Sequence, residues 1–155
     1  MDITIYTDGS ANNRAKTPEY GGYASVILKG IRKDDDEDLK CLRQVKNRSF
    51  DIDSYRAELL AAVYALNESL KIKKVKNILL VTDCKVLYNA MEGENWIEQW
   101  AHKGFFGVKH SDLYEILLDF KKQEFNLTFK WTRGHAGNYW NEFVDKLAKE
   151  ARNGR

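Results

Sequence analysis

Four carboxylates carry the chemistry that this sequence suggests: Asp8, Glu58, Asp83 and Asp145. Asp8 and Asp83 each follow a threonine at the carboxyl end of a predicted strand, in Tyr6-Thr7-Asp8 and Val81-Thr82-Asp83. Ligands of open α/β sheets gather outside the carboxyl ends of strands, so two such aspartates on neighbouring strands would stand side by side. Taken singly, each could equally open a turn or cap the next helix. Glu58 shares a helical face with Ala61, Ala62 and Ala65, small residues that let a helix approach a sheet closely. A carboxylate on that face is partly desolvated, which is costly without a cation or hydrogen-bond donors. Asp145, between Val144 and Leu147, repeats the anomaly, with an ordinary i,i+4 pairing to Lys149 as its plain alternative.

If the four acids converge, their mutual repulsion opposes folding unless positive charge is supplied. No Arg or Lys stands out near all four in the sequence, and a divalent metal is the natural solution. Ligation by oxygen alone points to Mg²⁺ or Mn²⁺ over zinc. Four carboxylates also suffice for two ions in the paired arrangement used for phosphodiester cleavage. Cys41, Cys84 and the three histidines show no zinc-ligand spacing. His135 lies in a loop between Gly134 and Ala136, just before the helix that carries Asp145. Such a histidine is usually structural or merely exposed; beside a metal-bound phosphate it could move protons or hasten product departure.

The elements that must position these residues follow from hydrophobic period. Ile3 to Thr7 alternates and is β-branched, which predicts a strand ending at Asp8-Gly9. Gly21 to Leu28 and Leu42 to Phe50 read as two further strands of an antiparallel meander, with Asp34-Asp35-Asp36-Glu37-Asp38 in their solvated hairpin loop. Consecutive acids cannot all point at one ion, so that run is not read as a metal site. The period then becomes helical: Leu59, Val63, Leu66 and Leu70, capped by Asp53 or Ser54. Asn77 to Thr82 is an unbroken apolar run, expected to be buried on both faces and parallel to a neighbour. A short helix from about Lys85 to Met91 and a helical segment with Trp96, Ile97 and Trp100 come next. Another helix carries Leu113, Ile116, Leu117 and Phe120 behind Ser111 or Asp112, and a last strand alternates through Leu127, Phe129 and Trp131. Phe143, Val144, Leu147, Ala148 and Ala151 define the final helix. The fold class is therefore α/β, a mixed five-stranded sheet with helices packed on it.

The chain has 155 residues, which suits a single domain over 1–155 with one core. Its apolar runs are too short to span a membrane, and no signal-peptide pattern opens the chain. Two cysteines make no disulfide framework, so a reducing cytoplasmic setting is the simpler expectation. The formal charge of +2 does not announce a nucleic-acid binder, although concentrating five acids in one run leaves the remaining surface more basic.

Together these residues resemble the type 1 ribonuclease H family. The matching motifs are Tyr6-Thr-Asp-Gly-Ser10, Arg56-Ala-Glu-Leu-Leu-Ala-Ala62, Val81-Thr-Asp83, and Gly134-His-Ala-Gly137 followed by Asn141-Glu-Phe-Val-Asp-Lys-Leu-Ala148. Each is weak alone; their order and spacing from Ile3 to Ala151 make the set specific. The resemblance implies the ribonuclease H-like fold and endonucleolytic hydrolysis of the RNA strand of an RNA–DNA hybrid, leaving 5′-phosphate and 3′-hydroxyl ends. It implies that Asp8 bridges two Mg²⁺ ions, that Glu58 and Asp83 complete one site, and that Asp145 helps to hold the other. One ion would activate water and the other would stabilise the leaving 3′-oxygen. His135 takes the family's role in proton movement and product release.

For substrate binding the resemblance implies Asn12 and Asn13, Ser54 and Tyr55 before the first helix, and Cys84 with Lys85. These would sense neighbouring 2′-hydroxyls on RNA and the groove width and sugar pucker of DNA. Trp96, Trp100 and Lys103 fall in the family's basic handle region, which grips the DNA strand; core packing of the two tryptophans is the plain alternative. The chain departs from many members in a longer, charged loop from Asn12 to Tyr20, in Ser54-Tyr55 where two Asn are common, and in Cys84 where Ser is common. Its handle, with Lys103, Lys109 and His110, is shorter and less basic. A monomer acting on a hybrid duplex is the expected form. The competing readings are a nuclease for another duplex, a binding module with a silent site, and a domain cut from a reverse transcriptase. The start at Met1 and the handle-like segment favour a free-standing protein.

Overall fold

The structure is a computed structural model that describes residues 1–32, 37–134 and 137–155. Strand β1 (Asp2–Ser10) is followed by β2 (Tyr20–Lys29) and β3 (Lys40–Phe50). Helix α1 (Ser54–Ser69), strand β4 (Asn77–Thr82) and the short α2 (Lys85–Tyr88) come next. A π-helical turn over Asn89–Gly93, α3 (Trp96–His102), α4 (Ser111–Lys121), β5 (Asn126–Trp131) and α5 (Tyr139–Arg152) complete the chain. The five strands lie in the order β3-β2-β1-β4-β5. The first three pair antiparallel, whereas β1–β4 and β4–β5 are parallel. The sheet is thus the mixed one expected from sequence.

Alternation along β1 explains the two-layer arrangement. Ile3 and Ile5 point into a core shared with Leu59, Leu66 and Leu117 of α1 and α4. Tyr6 points the other way, into a second core with Val26, Val81, Trp140 and Val144 beneath α5. Helices therefore cover both faces, and the strand in the middle has no solvent side. Full burial of a side chain such as Leu59 stabilises the fold by roughly 1.5–3 kcal/mol.

Asp53 is the cap of α1: its side chain accepts from the Arg56 backbone N–H at 2.7 Å. Helix α4 starts at Ser111, as expected; His110 before it is left-handed (φ 63°) and makes no side-chain cap, and Asp112 pairs with Arg56 at 2.6 Å. Two expectations need correction. Ile116 and Leu70 are exposed, and Leu118 faces the core. The predicted helix to Met91 ends at Tyr88 and widens into the π-helical turn, a local expansion of the hydrogen-bond ladder. The acidic hairpin run lies partly outside the described residues; its last member, Asp38, pairs with Arg32 at 2.8 Å. Among the described residues no helix is long and apolar enough to cross a membrane.

Candidate active site

Parallel pairing of β1 with β4 runs from Asp2↔Asn77 to Tyr6↔Val81. Two residues further along each strand stand Asp8 and Asp83, so the register delivers them to the same end of the sheet. Glu58 reaches them from α1. Asp8, Glu58 and Asp83 each offer a carboxylate oxygen within 4.8 Å of the others. The Gly9 backbone N–H donates to both Asp8 Oδ1 (2.9 Å) and Glu58 Oε1 (3.1 Å), tying strand and helix together. Asp145 lies on α5, on the opposite face, and helps to raise the Asp8 pKa, but it stands outside the group of three. Lys149 holds Asp145 Oδ2 at 3.0 Å, the ordinary i,i+4 pair.

Two glycines make this convergence possible. A Cβ on Gly9 would stand 2.6 Å from backbone atoms of Ala57 and Glu58. A Cβ on Gly22 would stand 2.1 Å from the Ala148 carbonyl oxygen and 2.4 Å from Arg152 N. One glycine lets α1 lie against the sheet with Glu58, and the other lets α5 do the same with Asp145. Their role was not read from the sequence, although a glycine inside a strand signals close backbone approach.

Burial, with the neighbouring Glu58 and Asp83 charges, holds the Asp8 carboxyl far above its ordinary range. Burial likewise pushes Glu58 upward, against hydrogen bonding from Asp8 and the Gly9 amide. Glu58 Oε2 is buried with no hydrogen-bond partner. An oxygen-only cluster with excess negative charge and an unpartnered buried carboxylate oxygen fits a divalent cation: Asp8, Glu58 and Asp83 are the donors it would find. No cationic side chain among the described residues forms an ion pair with Asp8 or Glu58.

The remaining candidate residues fall into three groups. Asn13 and Ser54 bind one another reciprocally, Nδ2 to Oγ and Ser54 N to Oδ1, both at 2.8 Å. Asn12 turns back to accept from Arg14 N at 3.0 Å, and all three line a cavity of about 480 Å³ with Tyr55. Cys84 sits half-buried at the start of α2 beside the acids, is not disulfide-bonded, and leaves Cys41 free on β3. The exposed Lys85 lies over the Trp131 ring at 5.0 Å, while Trp131 Nε1 donates to the Asp83 carbonyl at 3.2 Å.

The third group is aromatic. Tyr55 hydroxyl bonds to that of Tyr114, whose ring lies 4.8 Å from Trp100, and Trp100 lies 6.1 Å from Trp96. Both tryptophans pack against the main core while Lys103 is exposed. Trp100, with Tyr55, Gly107, Val108, Lys109, His110 and Tyr114, lines a groove of about 430 Å³, to which Trp96 and Lys103 contribute no wall. Tyr114 escapes a reading of the sequence, because only tertiary packing brings α4 to the start of α1. His135 lies outside the described residues; a Cβ on its neighbour Gly134 would stand 3.3 Å from Asp83 Oδ2, so the loop reaches the acids at that point.

A mixed sheet with helices on both faces places buried Asp8 and half-buried Asp83 at the carboxyl ends of adjacent parallel strands, an acid cluster that could hold a metal ion. The RNase H family profile matches residues 1–153. The chain is 38% identical to ribonuclease H of Desulforamulus reducens, over 97% of this chain and 87% of that one. It is 30% identical to ribonuclease HI of Synechocystis sp., over 96% and 86%. The structure of LC11-RNase H1 in complex with an RNA/DNA hybrid shares the fold, with a TM-score of 0.70 at 21% identity over 98% of this chain and 97% of that one. This chain belongs to the RNase H family.

Proposed function

We propose that this chain is an endoribonuclease that hydrolyses the RNA strand of RNA–DNA hybrids, leaving 5′-phosphate and 3′-hydroxyl ends. The observation that carries the reading is the approach of Asp8, Glu58 and Asp83 within 4.8 Å at the carboxyl ends of β1 and β4, in a chain of this family. Asp8, Glu58, Asp83 and Asp145 would hold two Mg²⁺ ions, or Mn²⁺ in their place, which when bound would supply an acidified water and charge stabilisation at the leaving oxygen. The Gly9 amide keeps the Asp8 and Glu58 carboxylates oriented, and Lys149 steadies Asp145. His135 takes up or releases a proton at the scissile phosphate.

In this reading Asn12, Asn13, Ser54, Tyr55, Cys84 and Lys85 border the RNA strand near the acids, while Trp96, Trp100 and Lys103 receive the DNA strand along the aromatic groove. The chain works as a monomeric ribonuclease H domain over residues 1–155 in the cytoplasm. Parallel digestion of an RNA–DNA hybrid, duplex DNA, duplex RNA and single-stranded RNA in Mg²⁺ tests the assignment. Cleavage confined to the RNA of the hybrid, and abolished by chelator, is the expected result. Faster cutting of any other substrate would sink it.

His135→Ala is expected to slow steady-state turnover roughly a hundredfold without eliminating it, since a positioned proton carrier contributes less than metal and electrostatic terms combined. The pH profile should flatten on the side governed by an imidazole. Unchanged turnover across the pH range would deny His135 that role.

A further inference from the structure

The connection from α3 to α4 holds four left-handed residues: Gly104 (φ 63°), Phe105 (φ 59°), Gly107 (φ 73°) and His110 (φ 63°). Such backbone is unfavourable for phenylalanine, so the surrounding contacts must impose it. Phe105 and Val108 turn inward and pack against the main core. Between them Phe106 is 91% exposed, the most exposed large apolar side chain among the described residues. It is not carried on a slack segment. Phe105 N donates to the Trp100 carbonyl (2.8 Å), Phe106 N to Lys103 (3.3 Å) and Val108 N to Phe105 (3.1 Å). A hydrogen-bonded turn, anchored on both sides, thus holds a bare ring out in solvent.

Its surroundings indicate what would cover it. Lys103 and Lys109 flank the ring in sequence, and both are exposed. Gly107, Val108 and Lys109 form one wall of the groove completed by Tyr55, Trp100 and Tyr114, so Phe106 stands at the rim of a surface already given to the DNA strand. A planar ring with exposed faces, with a lysine three residues away on each side in the chain, one of them (Lys109) paired with Asp53 at 3.4 Å, matches a nucleobase and the phosphates beside it. Inside a duplex each base face is covered by its neighbours. Without unstacking the duplex, a free aromatic face can meet a base face only at a duplex end or where the strand is unpaired, and an unpaired base can turn to meet it.

We propose that Phe106 stacks on an unpaired base of the DNA strand where that strand continues past the hybrid, making hybrid-to-single-strand junctions preferred binding sites. The inference rests on the proposed function for the identity of the strand. Binding of the full chain is measured by fluorescence anisotropy in chelator, where no cleavage occurs, to a blunt hybrid and to the same hybrid with a DNA overhang at either end. The wild type should bind an overhang substrate about tenfold more tightly than the blunt one, within the range of one base–aromatic stack. Phe106→Ser should erase that preference and Phe106→Trp should keep it.

Equal wild-type affinity for both substrates would overturn the proposal, as would equal weakening of both by Phe106→Ser. Wild-type self-association lost in Phe106→Ser, with the overhang preference intact, would reassign the ring to a protein contact. Cleavage of the blunt hybrid in Mg²⁺ is scored separately. If cleavage is absent while the overhang preference stands, the enzymatic reading fails and the stacking contact does not.

Discussion

Asp8→Asn should lower Mg²⁺-dependent hybrid cleavage by on the order of a thousandfold or more while making the metal-free protein more stable. The two effects have one cause. Asp8 is the meeting point of the acids: its carboxyl lies with those of Glu58 and Asp83. Asn keeps the shape and the hydrogen bonds but removes one of the charges that a cation must answer. Metal affinity falls, and so does the like-charge repulsion of the empty site.

The sign of the pH dependence follows from the raised pKa values of Asp8 and Glu58. A buried acid whose pKa is raised by folding binds its proton more tightly in the folded than in the unfolded chain. Its contribution is fully present below the ordinary carboxylate range and is lost as pH rises through neutrality. The metal-free wild type should therefore lose stability between mildly acidic and mildly alkaline pH. Asp8→Asn should be more stable than wild type by about 1–3 kcal/mol near neutral pH, with the gap closing in acid. Urea unfolding at both pH values checks this, and a gap that is pH-independent or reversed in sign would refute it. Mg²⁺ at a hundred times its dissociation constant should stabilise the wild type by about 2.7 kcal/mol, and the variant by much less.

The three acids that the structure brings together were legible in the sequence because each sits where its type is anomalous: Asp8 and Asp83 at strand ends and Glu58 on an alanine face. The change of period from alternation to helix after Phe50 gave the order of elements, and the unbroken run of β4 gave the parallel pairing. What escaped was set by contacts between distant segments. Nothing local to His110 announces that it caps nothing and instead lies 3.1 Å from Arg56. Tyr55 and Tyr114 are separated by a strand and three helical segments, yet their hydroxyls meet. The exposure of Phe106 was equally silent, since Phe105 beside it is the same residue type with the opposite fate.

Gly9 and Gly22 illustrate the same limit, and Gly9→Ala should have the second largest effect. Its Cβ would meet the backbone carbonyl carbon of Ala57 and the Glu58 amide at 2.6 Å, with the Ala57 side chain at 2.8 Å. None of these atoms is the end of a flexible side chain, so relief requires α1 to move away from β1. That movement lifts Glu58 from the Gly9 amide at 3.1 Å and opens the acid cluster. A displacement near 1 Å at catalytic groups costs about a hundredfold in rate, and overpacking costs about 1–3 kcal/mol in stability. Gly9→Ala should show both losses, whereas Asp8→Asn loses activity and gains stability. The contrast separates geometry from charge. Glu58→Ala provides the control, because it removes the carboxylate while leaving the helix where it is. If Gly9→Ala matched wild type in unfolding free energy and in Mg²⁺-dependent cleavage, close approach of α1 to β1 would not be what seats Glu58 beside Asp8.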